Sequence, residues 1–347
     1  MNTNEKQNDV IRKLFDYATG YNYDGQIVKR TIYTDKYEAK NIERLFCSSE
    51  NSSSPSVLSE SDKNLLSLLA NIDVFTLAIA EQLKVLYCSK ITGYVISQDM
   101  EAAVKRLMSH GLLCCTELIS PVIREQKPKR YYRLSSFGKA CVNYWDREIK
   151  DVGLKEVGNP DVILSHCAAA YVTLALVAKD FEFLPEKNVS CGPPIGVDHF
   201  SSVMYNKKGE NGTKLLIQPL YFTHRTKKET KAQYEMRVSR ICEKVLTAVN
   251  NARLERRFGT TKIICVANNF EDIQTFIREL YFLCEQNNGS SFDDVLDCVF
   301  FTSPSVINQY KTIDKSCFSY TSYDNINETG KMTNAPFMRW ISDNTIQ

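Results

Sequence analysis

The sequence predicts an α+β protein with two successive parts: a small helix-and-hairpin domain, then a layered domain of alternating helices and strands. Three observations predict it. First, Ser97 to Cys141 runs as an amphipathic helix, a glycine at Gly111, an apolar β-type stretch, a basic tip containing Pro128, a second strand and a helix start. Second, residues 161–312 alternate between helix-period and strand-period patterns. Third, SSENSSSPSVLSES at 48–61 and KDVGLKEVGNP at 150–160 are rich in breakers and read as linkers.

The totals bound the function classes. The chain has 347 residues, enough for two cores, and 43% of them are hydrophobic. Its 43 Lys and Arg nearly balance 41 Asp and Glu, so any attraction to phosphate must come from local patches. The 12 cysteines form no CxxC pair and fit no zinc-finger spacing. Free, buried thiols in a reducing cytoplasm are the expectation. The polar start MNTNEKQNDV predicts no signal peptide, and no apolar run reaches membrane-spanning length. There is no GxxxxGK loop and no Gly-x-Ser-x-Gly elbow, which argues against nucleotide hydrolysis and serine-hydrolase chemistry.

Residues 1–47 form a helical extension. Val10, Ile11, Leu14, Phe15 and Tyr17 lie on or near one face of a helix, Gln26–Tyr33 is extended, and Tyr37–Phe46 is a second short helix. This piece is too small for its own core, so it is expected to pack on a neighbour or on another copy of the chain.

Residues 62–148 are the first domain. Helix one runs from Asp62 to Ile72 on Leu65, Leu66, Leu68 and Leu69. Helix two covers Thr76–Leu86. Helix three starts at Ser97, a good N-cap with Asp99 in the first turn, and ends at Gly111. Met100, Val104, Leu107 and Met108 share one face of it, while Gln98, Glu101, Lys105 and Ser109 lie opposite. Strands at Leu112–Ile119 and Arg130–Leu134 follow, joined by a tip with Arg124, Lys127, Lys129 and Arg130 against the single acid Glu125. Tyr131 and Tyr132 alternate, so at least one belongs to the core.

This order is that of a winged helix-turn-helix. In such folds the third helix enters the major groove. Gln98 suits adenine, and Lys105 and Arg106 suit guanine or phosphate. The basic hairpin, with Arg133 on its second strand, would clamp the phosphate backbone. A solvated face on a core helix is the competing reading of the helix taken alone. The segment HGLLCCTEL…KPKRYYRLSSFGKACV resembles the winged-helix ending shared by many transcriptional regulators and plasmid proteins. That resemblance covers Thr76 to Val142 and implies the fold without naming the ligand.

The second domain, 161–312, begins with a helix from Ser165 to Phe183. A hairpin of Gly196–Tyr205 and Lys214–Phe222 follows, with Leu215, Leu216 and Ile217 suggesting burial on both faces. Then come a long helix Lys228–Arg257, strand Thr261–Ala267, helix Phe270–Cys284 and strand Val295–Thr302. Residues 313–347 are rich in Asn, Ser and Thr and read as a loose tail. The layout resembles the restriction-endonuclease-like core of the PD-(D/E)XK superfamily. Together with the upstream winged helix it resembles the replication-relaxation family of plasmids and conjugative elements of Gram-positive bacteria.

The nuclease resemblance requires an Asp on the first hairpin strand, then an acid, a spacer and a Lys on the next, holding Mg²⁺ and a water. Asp198 matches the first position, or is a hairpin-end residue. Gln218 and Leu220 stand where the acid and the Lys should be, so hydrolysis is not expected. Between Arg225 and Arg257, ten Lys or Arg face four Glu, a local net of +6 in a chain of +2. Arg237, Arg240 and Lys244 are three and four residues apart and share a face that suits phosphates, or a solvated side laced with ion pairs.

The expected function is a non-enzymatic, double-stranded DNA-binding protein of a mobile element, with no cofactor. It would act in the cytoplasm, with a relaxase or replication protein as a partner and a homodimer formed through residues 1–47. A Mg²⁺-dependent nuclease with a migrated acid, and a winged-helix adaptor that binds protein, are the alternatives.

Overall fold

The computed structural model describes residues 11–15, 28–31, 58–72, 75–76, 97–119, 129–145, 160–177, 179, 181–183, 201–205, 213–220, 230–254, 261–267, 269–286, 291–310, 312–320 and 332–334. The chain is mixed α+β. It divides into two compact units, one of Tyr23–Ala170 and one of Met1–Asn22 with Tyr171–Gln347. This differs from the boundaries drawn at the linkers. Residues 1–47 are shared between the two units, and the second boundary falls inside a helix beyond the 150–160 stretch.

The unit Tyr23–Ala170 contains β1 (Val28–Thr31), α1 (Glu60–Ile72), β2 (Phe75–Thr76), α2 (Ser97–Ser109), β3 (Leu113–Ile119), β4 (Lys129–Leu134) and α3 (Ser136–Trp145). Its strands form one antiparallel sheet in the order β1-β3-β4-β2. Helix α1 starts with a reciprocal cap. The Ser59 hydroxyl accepts from Asp62 N at 3.1 Å, and Asp62 Oδ2 accepts from Ser59 N at 3.0 Å. Leu65, Leu66 and Leu69 then bury the inner face of α1, which packs on α3 and β4.

Helix α2 ends as the glycine rule predicts. Gly111 has φ 71°, Gly111 N donates to Met108 O at 3.0 Å, and Leu112 N donates to Leu107 O at 2.9 Å. This paired closure satisfies two carbonyls that a helix end otherwise leaves open. Helix α3 is then locked onto that turn. Ser135 N donates to Leu112 O at 3.0 Å, and Ser135 Oγ donates to Gly111 O at 2.6 Å. The same hydroxyl accepts from Gly138 N at 2.8 Å as the N-cap of α3. The "Gly-Leu … Ser … Gly" spacing is therefore one interlock between the end of α2 and the start of α3. Thr76, expected to open helix two, instead closes β2 opposite Tyr131, and the rest of that helix lies outside the described residues.

Helix α4 (Pro160–Val177) contains the division at Ala170 and stops well short of Phe183, which belongs to a strand. The second unit continues with β5 (Glu182–Phe183), β6 (Ser201–Tyr205), β7 (Thr213–Leu220), α5 (Lys231–Leu254), β8 (Thr261–Ala267), α6 (Phe270–Gln286), α7 (Phe292–Leu296), β9 (Val299–Thr302), α8 (Pro304–Tyr310), β10 (Phe318–Tyr320) and β11 (Met332–Asn334). Its seven strands lie in sequential order, β5 to β11. Strands β7, β8 and β9 are mutually parallel, and the flanking pairs are antiparallel.

Two further expectations fail in this unit. Val295 lies in α7, and its strand starts only at Val299. The expected loose tail contributes β10 and β11 to the sheet, with Phe318 and Tyr320 buried.

Two successive parallel crossovers in one direction put α5 and α6 on the same face of the sheet. One hydrophobic core joins Val238, Ile241, Val245 and Val249 of α5 with Ile273, Phe276, Ile277 and Leu280 of α6, over Leu216, Ile263, Val299 and Phe301. Ile11, Leu14 and Phe15 of the helical residues 11–15 belong to the same core, with the Phe15 and Phe318 rings edge to face at 5.7 Å. All of Leu215–Leu220 is buried, as expected for a strand covered on both faces. Among the described strands the order never reverses, so this sheet has no switch-point crevice, the usual ligand site of open α/β sheets.

Burial also sets an alkaline limit. Desolvation pushes the Cys141 thiol from 9.0 up to about 12, and the Tyr171 phenol from 10.0 up to about 12. The unfolded chain ionises these groups first, so their contribution is full below pH 9 and is lost as pH rises from about 9 to about 12. Unfolding free energy by urea titration should be flat from about pH 7 to 8.5 and fall beyond it; a flat profile to pH 11 would contradict this burial.

Candidate nucleic-acid interface

The first candidate surface is built on α2 and the β3–β4 hairpin. Ala103, Val104 and Leu107 are 0–1% exposed, and this apolar side holds α2 against β3. The opposite side follows from helical spacing. Ala102, Lys105 and Ser109 are exposed, while Met108 is half-buried. Gln98 is placed in the first turn of α2, and its side chain lies outside the described residues.

Arg106 has a different task from the one expected of it. Its Nη2 donates to Asp62 Oδ1 at 2.6 Å, and the Asp62 side chain is 1% exposed. A carboxylate buried in the α1 cap needs a cation, and Arg106 supplies it from α2. Arg106 therefore joins two helices, and Lys105 is the basic residue of this helix on the exposed side.

On the hairpin, β3 and β4 pair from Leu113↔Leu134 to Leu118↔Lys129. Tyr132 is 4% exposed and is the core tyrosine, across from Cys115. Arg133 is half-buried and pairs in register with Cys114. Lys129 and Arg130 hold the first two positions of β4, across from Leu118 and Glu117. Arg124 and Lys127 lie outside the described residues.

The second candidate surface is the outer side of α5. The helix opens with a Thr-x-x-Gln cap: Thr230 N donates to Gln233 Oε1 at 2.8 Å and Gln233 N to Thr230 Oγ1 at 3.2 Å. Arg240 is exposed, and Arg237 and Lys244 are half-buried. Arg237 lies over the Tyr234 ring, its Cζ 5.3 Å from the centroid, which holds the guanidinium against the helix. Lys231 and Glu235 form an exposed pair at 3.6 Å. The helix thus mixes a positive stripe with internally paired charge, and an exposed pair of this kind contributes at most about 1 kcal/mol.

The nuclease positions are occupied by core residues. Gln218 and Leu220 are 1% and 0% exposed, and they share a strand face with Leu216 beneath α5 and α6. Gln218 pairs in register with Cys265 of β8, and its Nε2 donates to Pro219 O at 2.8 Å. Its Oε1 meets no hydrogen-bond partner among the described residues. An amide and a leucine sealed in an apolar layer offer no ligand to a hydrated Mg²⁺. Asp198 lies outside the described residues. No group of three His, Cys, Asp or Glu among the described residues is arranged to hold a metal ion. No helix among them is long and apolar enough to cross a membrane.

Sequence reasoning missed two features here: the engagement of Arg106 by Asp62, and the strand β1 beside the hairpin. Residues 26–33 do read as extended, but their partner strand has no local signal. Compared with protein-family models, curated proteins and solved structures, the chain matches none.

Proposed function

We propose that the protein binds double-stranded DNA through the unit Tyr23–Ala170, folded as a winged helix, and that it acts without catalysis. The observation that carries this reading is the pairing of an amphipathic α2, apolar side down and Lys105 out, with an adjoining hairpin whose strand β4 holds Lys129, Arg130 and Arg133. A helix presented beside a basic two-stranded ribbon matches the dimensions of a major groove and its flanking phosphates. Lys105 takes the groove position, with Gln98 in the turn that would enter first. The stripe Arg237, Arg240 and Lys244 on α5 is a second phosphate-binding surface.

The second unit takes the place of a nuclease-like domain that has lost its chemistry. The burial of Gln218 and Leu220 supports that reading. A role in replication or mobilisation of a mobile element, alongside a relaxase or replication protein, follows from the family resemblance of the layout.

Electrophoretic mobility shift with random duplex and matched single-stranded DNA tests the reading. Duplex should bind more tightly, and Lys105→Ala should weaken duplex binding about tenfold, within the range of one lost base or phosphate contact. Supercoiled plasmid with Mg²⁺ should stay uncut. No duplex affinity at low salt, or cleavage abolished by Asp198→Asn, would overturn the proposal.

A further inference from the structure

A buried carboxylate ties α1 to the helix that carries Lys105. Asp62 stands in the first turn of α1, and its side chain is 1% exposed. Its Oδ2 accepts from Ser59 N at 3.0 Å and from Ser59 Oγ at 2.9 Å. Its Oδ1 accepts from Arg106 Nη2 at 2.6 Å, and Arg106 belongs to the last turn of α2. The Arg106 side chain is 40% exposed, so the pair runs from the interior of the unit Tyr23–Ala170 to its surface.

An ion pair in this setting is a poor source of stability. Taking its charges out of water offsets their attraction, and packed apolar residues often serve as well. Its better-attested use is to select one arrangement of the parts that carry it. Here those parts are α1, seated on Leu65, Leu66 and Leu69, and α2, seated on Ala103, Val104 and Leu107. Apolar burial is non-directional, whereas a charge-assisted hydrogen bond is directional. Arg106 therefore fixes the roll of α2 about its axis more closely than the apolar side alone. Lys105 is the adjacent residue and is exposed, so its direction follows that roll.

We propose that Arg106 is a positioning residue for DNA binding: held by Asp62, it sets the roll of α2 that aims Lys105 at the duplex, and it makes no phosphate contact of its own. The proposal rests on the DNA-binding reading of α2 and the hairpin. Two explanations compete with it. Arg106 contacts phosphate directly, or the pair only stabilises the fold. Asp62→Asn distinguishes the first of these by sign. It removes a negative charge near the DNA surface, which by electrostatics alone tightens binding. Under the positioning role it weakens binding, because Arg106 loses its anchor.

Duplex binding by the full chain is followed by fluorescence anisotropy between about 50 and 200 mM salt, where each lost phosphate contact flattens the log–log slope by about 0.9. Arg106→Gln and Asp62→Asn should each weaken binding about tenfold and flatten the slope by about 0.9, as Lys105→Ala does. In the Lys105→Ala background both should be nearly silent, within about twofold in affinity and with no further change of slope. Should a single variant unfold, Asp62→Asn/Arg106→Leu repeats the test. It strands no buried charge and leaves the net charge unchanged. A further slope loss of about 0.9 for Arg106→Gln in the Lys105→Ala background would overturn the proposal in favour of a phosphate contact. Asp62→Asn binding at least as tightly as the wild type would do the same. Wild-type affinity and slope in Asp62→Asn/Arg106→Leu, or a further loss beyond about twofold when it is added to Lys105→Ala, would also overturn it. A wild-type protein without duplex affinity, or a Lys105→Ala variant that binds like it, would remove the DNA-binding reading itself.

Discussion

Phe15→Ala should lower the unfolding free energy of the protein by about 3–5 kcal/mol, the usual cost of truncating a core phenylalanine. Phe15 is 0% exposed and lies edge to face with Phe318, 5.7 Å between centroids. That contact adds about 0.5–1.5 kcal/mol beyond burial. The residue shares its core with α5, α6 and the central strands, although more than two hundred residues separate it from them in sequence. A loss of this size corresponds to a fall in melting temperature of roughly 10 °C for a domain of this size. Calorimetry on the full chain measures it. An unchanged transition, with a change in molar mass by light scattering, would instead support the expectation that residues 1–47 join two copies of the chain.

Gly138→Ala should be the second large loss, about 2–3 kcal/mol, although the same change in a helix normally stabilises by up to about 1 kcal/mol. A Cβ at position 138 would lie 2.1 Å from Leu112 O and 3.0 Å from Leu112 C. Both are backbone atoms, so no side-chain rotation relieves the clash. Either α3 or the Leu112 peptide has to move, and Leu112 is the last of the three residues between the end of α2 and the start of β3. The variant is therefore also expected to weaken duplex binding by altering the angle between the Lys105 helix and the hairpin. Urea denaturation checks the stability. A variant as stable as the wild type would mean that the α3 interlock is looser than the Ser135 hydrogen bonds indicate.

Local physics made much of the fold legible in the sequence. Gly111 was readable as a helix stop because only glycine takes a positive φ there without strain. Strand Thr261–Ala267 stands out as an apolar run between a breaker and a helix, and its bounds agree with the structure. The position of Gln218 in a buried strand followed from the Leu215–Ile217 run. Other features depend on partners distant in the chain. Nothing near Arg106 signals that Asp62, 44 residues earlier, will claim its guanidinium. Phe318 and Tyr320 alternate over only three residues, too few for a period to emerge from an Asn- and Ser-rich background. Val295 looks like the start of a strand, yet the Ser291 hydroxyl accepts from Asp294 N and caps a short helix there. The placement of β1 beside β3 is a matter of register, which sequence period alone does not supply.

The candidate surface divides along the same line. Lys105 was identifiable as outward-facing because helical period fixes its side once Val104 and Leu107 are buried. The pairing that sets β1 on the far side of β3 from β4 was not identifiable, because β1 and β4 are about a hundred residues apart. The charges of the hairpin sheet are counted only when all four strands are known.

The most direct test of the account is the salt dependence of wild-type binding to random duplex DNA. Lys105 of α2, with Lys129 and Arg133 at alternate positions on one face of β4, each neutralising one phosphate, predict a log–log slope of about −3 or steeper. A slope near zero, or no measurable association at about 50 mM salt, would contradict the assignment of this surface to nucleic acid.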